Sequence, residues 1–85
     1  MAWHVYILRC ADDSLYTGIT TDLSRRLRRH NAGTASAYTR TRLPVRLVYQ
    51  EHQPDRPAAL RREAALRRLT RAAKLALVRR TPRRA

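Results

Sequence analysis

The sequence predicts an α/β (α+β) domain in which a three-stranded antiparallel sheet is flanked by helices, in the order β-β-α-β-α-α. Three observations carry this expectation. Two runs of β-branched and aromatic residues, "WHVYILRC" and "LYTGIT", are separated only by the turn-forming "ADDS", which is the pattern of a β-hairpin. A third run, "VRLVYQEH", alternates in character after Pro44 and suits one more strand. Leucines at helical spacing between and after these runs supply apolar stripes that the faces of a sheet would bury.

Within the hairpin, the loop decides which side chains share a face. A three-residue loop of Asp12, Asp13 and Ser14 sets Cys10 opposite Tyr16 and gives Tyr6, Leu8, Cys10, Tyr16 and Gly18 one face, whereas a two-residue loop would separate the tyrosines. The first register is expected. Gly18 inside a strand marks a bulge or the close approach of another group. Thr21 or Asp22 can cap the first helix, which runs to about His30 with Leu23 and Leu27 as its buried stripe. Asn31 and Gly33 are able to end it in a left-handed turn. The polar, basic stretch "TASAYTRTRLP" reads as a loop. After the break "QPDRP", Pro57 favours the first turn of a helix that continues through Leu60, Leu66 and Leu69, and Thr70 can cap a last helix, "RAAKLALVRR". One domain over residues 1–80 and a fraying basic tail over 81–85 account for the 85 residues.

Lysine and arginine number 19 against 6 acids, a formal charge of +13, nearly all of it arginine. Such a field attracts polyanions, and the planar guanidinium fork matches phosphate better than a point charge does. Nucleic acid is therefore the expected partner, DNA first and RNA as the other possibility. Cys10 is the lone cysteine, which excludes a disulfide framework, and three scattered histidines with it do not make a structural zinc site. No run approaches the length of a membrane span and no signal peptide opens the chain, so a cytoplasmic protein is expected.

Several side chains sit where packing alone does not call for them. Arg26 and His30 lie four apart on the first helix and so share a face bordering Leu23 and Leu27. Arg25, Arg28 and Arg29 turn toward solvent, where they can meet phosphates. Tyr38, Arg40 and Arg42 combine a ring with spaced cations, a combination suited to stacking a base while holding its backbone. Glu63 is the only acid after Asp55 and falls beside Leu60, Ala64 and Leu66 on the inward side of its helix. A carboxylate there needs a partner, either Arg67 one turn on or a divalent cation completed by water and phosphate oxygens.

Taken together, "VYIL" with Tyr6, "YTG" at Tyr16 to Gly18, and Arg26, His30 and Glu63 on successive helices resemble the GIY-YIG nuclease domain, over almost the entire chain. The likeness is greatest to the small stand-alone bacterial proteins of that superfamily, which share the "LRCADGSLYTGIT" type of opening and the "ALRREAAL" type of helix. Similar domains occur in homing endonucleases, in the incision subunit of bacterial excision repair and in junction resolvases. The resemblance implies a metal-dependent endonuclease that hydrolyses DNA phosphodiester bonds, structure-selective and not sequence-specific, in repair or recombination. Carried over, it makes Tyr6 the general base, with Tyr16 assisting or orienting, Arg26 the holder of the scissile phosphate, His30 the support of the tyrosine or water, and Glu63 the ligand of Mg²⁺ or Mn²⁺. Gly18 is structural in that pattern, and nearby positive charge is expected to lower the Tyr6 pKa. His4 and Val5 stand where the family's name has Gly and Ile, Thr17 replaces the Ile of the second triplet, and no Asn or Gln follows Gln53. The competing reading is a basic nucleic-acid-binding protein that keeps the fold with little or no catalysis.

Overall fold

The computed structural model describes residues 2–80. Strands β1 (Trp3–Arg9), β2 (Leu15–Thr20) and β3 (Arg46–Gln53) form one antiparallel sheet in the order β2-β1-β3, so the first strand is central. Helices α1 (Leu23–Asn31), α2 (Ala37–Arg40), α3 (Arg56–Arg67) and α4 (Arg71–Arg80) follow the expected order with one addition. That addition is α2, inside the stretch expected to be a loop. Ser36 caps it by accepting from the amides of Tyr38 and Thr39. The expected tail, 81–85, lies outside the described residues.

The hairpin turns over Ala11, Asp12 and Asp13, one residue earlier than the sequence suggested. Asp13 takes a left-handed φ of 68°, a conformation that aspartate tolerates better than most residues. The Cys10 amide donates to Ser14 O at 2.9 Å, and the Asp12 carboxylate accepts from the Ser14 amide at 3.0 Å. Tyr6 therefore pairs with Gly18 and Leu8 with Tyr16, while Cys10 faces Ser14 and not Tyr16. A slip of two residues leaves the face of every side chain unchanged, because strand side chains alternate with period two. The expected grouping of Tyr6, Leu8, Tyr16 and Gly18 survives the altered register.

The helix ends show how local chemistry places the elements. Of the two candidate caps of α1, Asp22 serves, accepting from the Arg25 amide at 3.0 Å. Gly33, at φ 79°, closes α1 as its amide donates to His30 O, while the Thr34 amide reaches back to Arg29 O. Asn31 then clamps the approach to β3, donating to Val45 O at 3.0 Å and accepting from the Val45 amide at 2.8 Å. Asp55 caps α3, with Pro57 in its first turn, and Thr70 Oγ1 accepts from the Ala73 amide at the start of α4.

Each sheet face carries its own apolar cluster. Val5, Ile7 and Tyr49 pack with Ala59 and Leu66 of α3, against Leu77 and Val78 of α4. On the other face Tyr6, Leu8, Cys10 and Val45 pack with Leu23 and Leu27 of α1 and with Leu43 and Leu47. Burying a side chain the size of Leu66 favours the fold by about 1.5–3 kcal/mol. The α3 stripe differs from the expected one: Ala59 and Leu66 are buried, whereas Leu60 and Leu69 are 37% and 38% exposed. Ala59, with no side chain beyond Cβ, faces the sheet, and Leu60 is one residue, about 100° of helical turn, away from it.

β3 is irregular. Ile7 pairs with Tyr49 but Leu8 pairs with Leu47, so Val48 is an extra residue, a β-bulge. Beyond it, Glu51 gathers the Tyr49 hydroxyl, Gln53 Nε2 at 3.1 Å and Arg62 Nε at 2.6 Å, tying β3 to α3. Burial alone would push the Glu51 carboxyl up; the hydrogen bonds from Arg62, Tyr49 and Gln53, with the Arg62 charge, outweigh it and hold it below its usual value.

Candidate active site

Tyr6 is the centre of the site because β1 is the central strand and α1 covers that face. Its ring is 2% exposed and leans over Gly18 on β2. A Cβ at position 18 would stand 2.5 Å from Tyr6 Oη and 2.6 Å from Cζ. Gly18 is thus explained by close approach and not by a bulge: only a residue without a side chain leaves room for the phenol there.

Tyr6 Oη lies 3.0 Å from Nε2 of His30, and His30 Nδ1 lies 2.8 Å from Thr39 Oγ1. His30 and Thr39 are fully buried. The Thr39 hydroxyl donates to Ser36 O at 3.4 Å, so its lone pairs accept the Nδ1 proton, and Nε2 is left to accept from Tyr6. Burial, with the Arg26 charge adding to it, lowers the His30 pKa below its usual 6.5, which keeps the imidazole neutral as this chain of bonds requires. Tyr16 packs its ring edge against His30 at 5.3 Å between centroids.

The expected lowering of the Tyr6 pKa is corrected by the structure. Burial, the largest influence, and the Tyr16 phenol push it well above the ordinary 10.0; the Arg26 guanidinium acts the other way, and the Glu63 carboxylate adds to the rise. Desolvation outweighs one partly exposed guanidinium because a buried phenolate loses its hydration entirely. The same influences place Arg26, Tyr16 and Glu63 within electrostatic reach of the Tyr6 phenol. Of the five residues the sequence singled out for chemistry, His30 meets both Tyr6 and Tyr16, Arg26 acts on Tyr6 and His30 through charge, and Glu63 acts on Tyr6.

Glu63 sits on the sheet-facing side of α3, between Ala59 and Leu66 and not beside Leu60 and Ala64, which are exposed. Its Oε2 accepts from Arg67 Nη2 at 3.2 Å, and the same nitrogen donates to Thr17 O at 3.3 Å. Arg67 therefore anchors α3 to β2. Glu63 Oε1 has no hydrogen-bond partner among the described residues, and the neighbouring strand residue Thr17 has a buried hydroxyl without one. No group of three or more His, Cys, Asp or Glu side chains stands together among the described residues. One carboxylate with a free oxygen suits Mg²⁺ or Mn²⁺, hard cations that keep water and take phosphate oxygens, and does not suit a tetrahedral zinc site.

The residues expected to contact nucleic acid separate into two groups. Arg25, Arg28, Arg29 and Arg40 are exposed. Tyr38, by contrast, stacks on Tyr16 at 5.8 Å and carries the Arg42 guanidinium 3.9 Å over its ring. Arg42 also donates to Asp12 Oδ2 at 3.1 Å and to Tyr38 O at 2.7 Å. This pair joins the hairpin tip to α2, so its contacts here are with the protein itself. Sequence reasoning missed Thr39. Nothing in "SAYTRT" marks one threonine as the partner of a histidine nine residues away.

Residues 2–76 match the GIY-YIG catalytic domain family. The chain is 53% identical over 75 residues to a "UPF0213 protein" of Streptococcus sanguinis, covering 88% of this chain and 86% of that one. It is 48% identical over 81 residues to a Xanthomonas axonopodis protein of the same designation, covering 95% and 79%. The solution structure of a UPF0213 protein from Bacillus halodurans superposes with a TM-score of 0.60 at 44% identity, covering 93% of this chain and 84% of that one. With the match spanning nearly the entire chain, and with the paired tyrosines, Gly18 and His30 assembled around one buried phenol, the protein belongs to the GIY-YIG catalytic domain family.

Proposed function

We propose that this protein is a metal-dependent endonuclease that hydrolyses DNA phosphodiester bonds, selecting substrate by structure more than by sequence, in DNA repair or recombination. The observation that carries the reading is the hydrogen-bonded series Tyr6–His30–Thr39, buried beside Arg26 and Glu63. A phenol whose pKa is raised is seldom ionised, so Tyr6 acts as a relay: its oxygen takes a proton from the attacking water as its own proton moves to His30 Nε2. The Thr39 hydroxyl accepts from Nδ1–H on the opposite side of the imidazole and donates in turn to Ser36 O, which holds the ring in the tautomer that can receive. Tyr16 keeps His30 oriented by ring contact. Arg26 binds the scissile phosphate and offsets charge growing on its oxygens. Glu63 is the residue that would hold Mg²⁺ or Mn²⁺, which, when bound, supplies Lewis-acid stabilisation of the phosphate and leaving oxygen. Arg25, Arg28, Arg29 and Arg40 contact phosphates without reading bases.

The competing reading, a nucleic-acid-binding protein of low activity, draws support from one contact: Arg67 already occupies one oxygen of Glu63. The Glu63→Gln variant separates the two. It preserves shape while removing the charge that holds the cation, so cleavage of plasmid, flap, fork and single-stranded substrates in Mg²⁺ or Mn²⁺ should fall by about a hundredfold or more, with binding retained. Equal cleavage by the variant and the parent, free of contaminating nuclease, would retire the metal role of Glu63, whereas a parent that binds these substrates without cutting them would retire the catalytic reading in favour of the binding one.

A further inference from the structure

We infer that Arg9 and Arg46 form a second phosphate subsite, which takes a backbone phosphodiester of the nucleic-acid strand away from the bond being cut. This rests on the nuclease reading above and adds a site to it. The two residues are direct cross-strand partners on β1 and β3. Like charges placed opposite each other on a sheet oppose the fold unless something neutralises them. Arg9 has a partial answer in Asp13, whose Oδ1 is 3.0 Å from Arg9 Nε. Arg46 is exposed and has no ion-pair partner among the described residues.

The β-bulge creates this pairing. Continued without a break from Ile7–Tyr49, the ladder would set Arg9 opposite Leu47; the extra Val48 brings Arg46 there instead and sends Leu47 to the cluster around Leu8. Between the two arginines lies a cleft of about 260 Å³, lined also by Cys10, Ala11, Asp13, Pro44 and Val45. Two guanidinium groups against the single carboxylate of Asp13 leave it positive, in a molecule of charge +13. Forks of this kind bind phosphate oxygens in pairs.

The location is the hairpin end of the sheet. Arg9 lies three residues beyond Tyr6 on β1, so its side chain leaves the face opposite the Tyr6 phenol, because strand side chains alternate. Arg9 and Arg46 occupy the sheet face against which α3 packs, the face that also carries Glu63. The anion is assigned to nucleic acid because the fold's catalytic side chains work on a phosphodiester, and a phosphodiester bound there would hold register on the strand.

The test uses the full chain with divalent cations chelated, so that binding is read without cutting. Arg46→Gln and Arg46→Glu are compared with the parent and with Arg71→Glu, an equal charge change at an exposed position on α4. Labelled duplex and single strand are titrated at several salt concentrations. Inorganic phosphate is titrated separately while the Ala11 and Arg46 amides are followed by NMR. Loss of Arg46 should weaken nucleic-acid binding by about fivefold and lower the salt slope by about one, and Arg46→Glu should weaken it more than Arg71→Glu does. Arg46→Glu should also raise the melting temperature, since the introduced carboxylate would pair with Arg9; if that variant is instead unfolded, Arg46→Gln decides. Binding by Arg46→Gln equal to the parent's, or equal effects of the two charge reversals, would overturn the subsite. So would phosphate shifts that depend on Arg46 without any change in strand affinity, which would mark a free-anion site. If the parent binds no nucleic acid, the nuclease reading fails by itself; absence of Arg46-dependent phosphate shifts then overturns the subsite too, and their presence reduces it to a free-anion site.

Discussion

His30 is the only fully buried side chain of α1, and both of its nitrogens are engaged. Its lowered pKa has a definite consequence for pH. A histidine held neutral in the folded state but free to protonate when unfolded supports stability above about pH 6.5, and that support is lost as pH falls through the folded-state value. Catalysis follows the same proton, because a protonated Nε2 can no longer accept from Tyr6. The acid limb of the cleavage profile should therefore lie below pH 6.5 and coincide with the His30 titration followed by NMR. Thr39→Val removes the acceptor of Nδ1–H, permitting the other tautomer; cleavage should drop by about ten- to a hundredfold at a stability cost of about 1–3 kcal/mol. An acid limb that ignores His30, or full activity in Thr39→Val, would disprove the relay. The tyrosines, His30 and Glu63 were legible in the sequence through the family's motifs, with strand and helix periods agreeing that each points inward. Thr39 was not, because its contact depends on where a separate turn of chain is laid.

At the scale of elements, the hairpin, the third strand and three helices follow from turn chemistry, caps and apolar spacing, all of which act within a few residues. What escaped prediction depends on contacts across the fold. α2 is four residues long, too short to carry a periodic signal, and its Thr39 is secured by the bond to His30. The bulge at Val48 satisfies two apolar clusters at once, a requirement visible only when both faces are covered. The outward turn of Leu60 follows from α3 presenting Ala59 to the sheet. The junction of β3 with α3 depends on Arg62 at Glu51, whose carboxylate is 18% exposed. Arg62→Ala strands that carboxylate, and the 39% exposure of Arg62 itself moderates the cost. Thermal or urea unfolding should show a loss of about 1–2 kcal/mol, diminishing as pH falls below about 4.5 and Glu51 becomes protonated in both proteins. An unchanged midpoint would show that the network is ornamental.

Across the whole molecule, the six acids are all committed. Asp22 and Asp55 cap helices, Asp12 and Asp13 hold the hairpin tip through Arg42 and Arg9, Glu51 secures α3, and Glu63 lies at the candidate site. The arginine excess is thus left with few internal partners and faces outward. Binding to duplex or single strands should weaken steeply with salt and vary little with sequence, since each phosphate neutralised releases counterions and reads no base. Titrations over a range of salt on unrelated sequences check this, and an affinity indifferent to salt would contradict it. No helix among the described residues is long and apolar enough to cross a membrane, so this charge is not organised around a spanning helix.

The left-handed Asp13 has an evolutionary reading. Glycine takes that conformation without strain but gives the unfolded chain more freedom, and the Arg9 pair it would forgo is 70% exposed on the aspartate side and of small worth. An exchange at position 13 is therefore close to neutral for folding while it alters the charge beside Arg9 by one unit. Selection can adjust the protein's grip on a polyanion through this one codon without drawing on stability. Asp13→Gly should leave the melting temperature within about 2 °C of the parent's and tighten nucleic-acid binding, whereas a variant that melts much earlier would show that the turn is structural and not a dial.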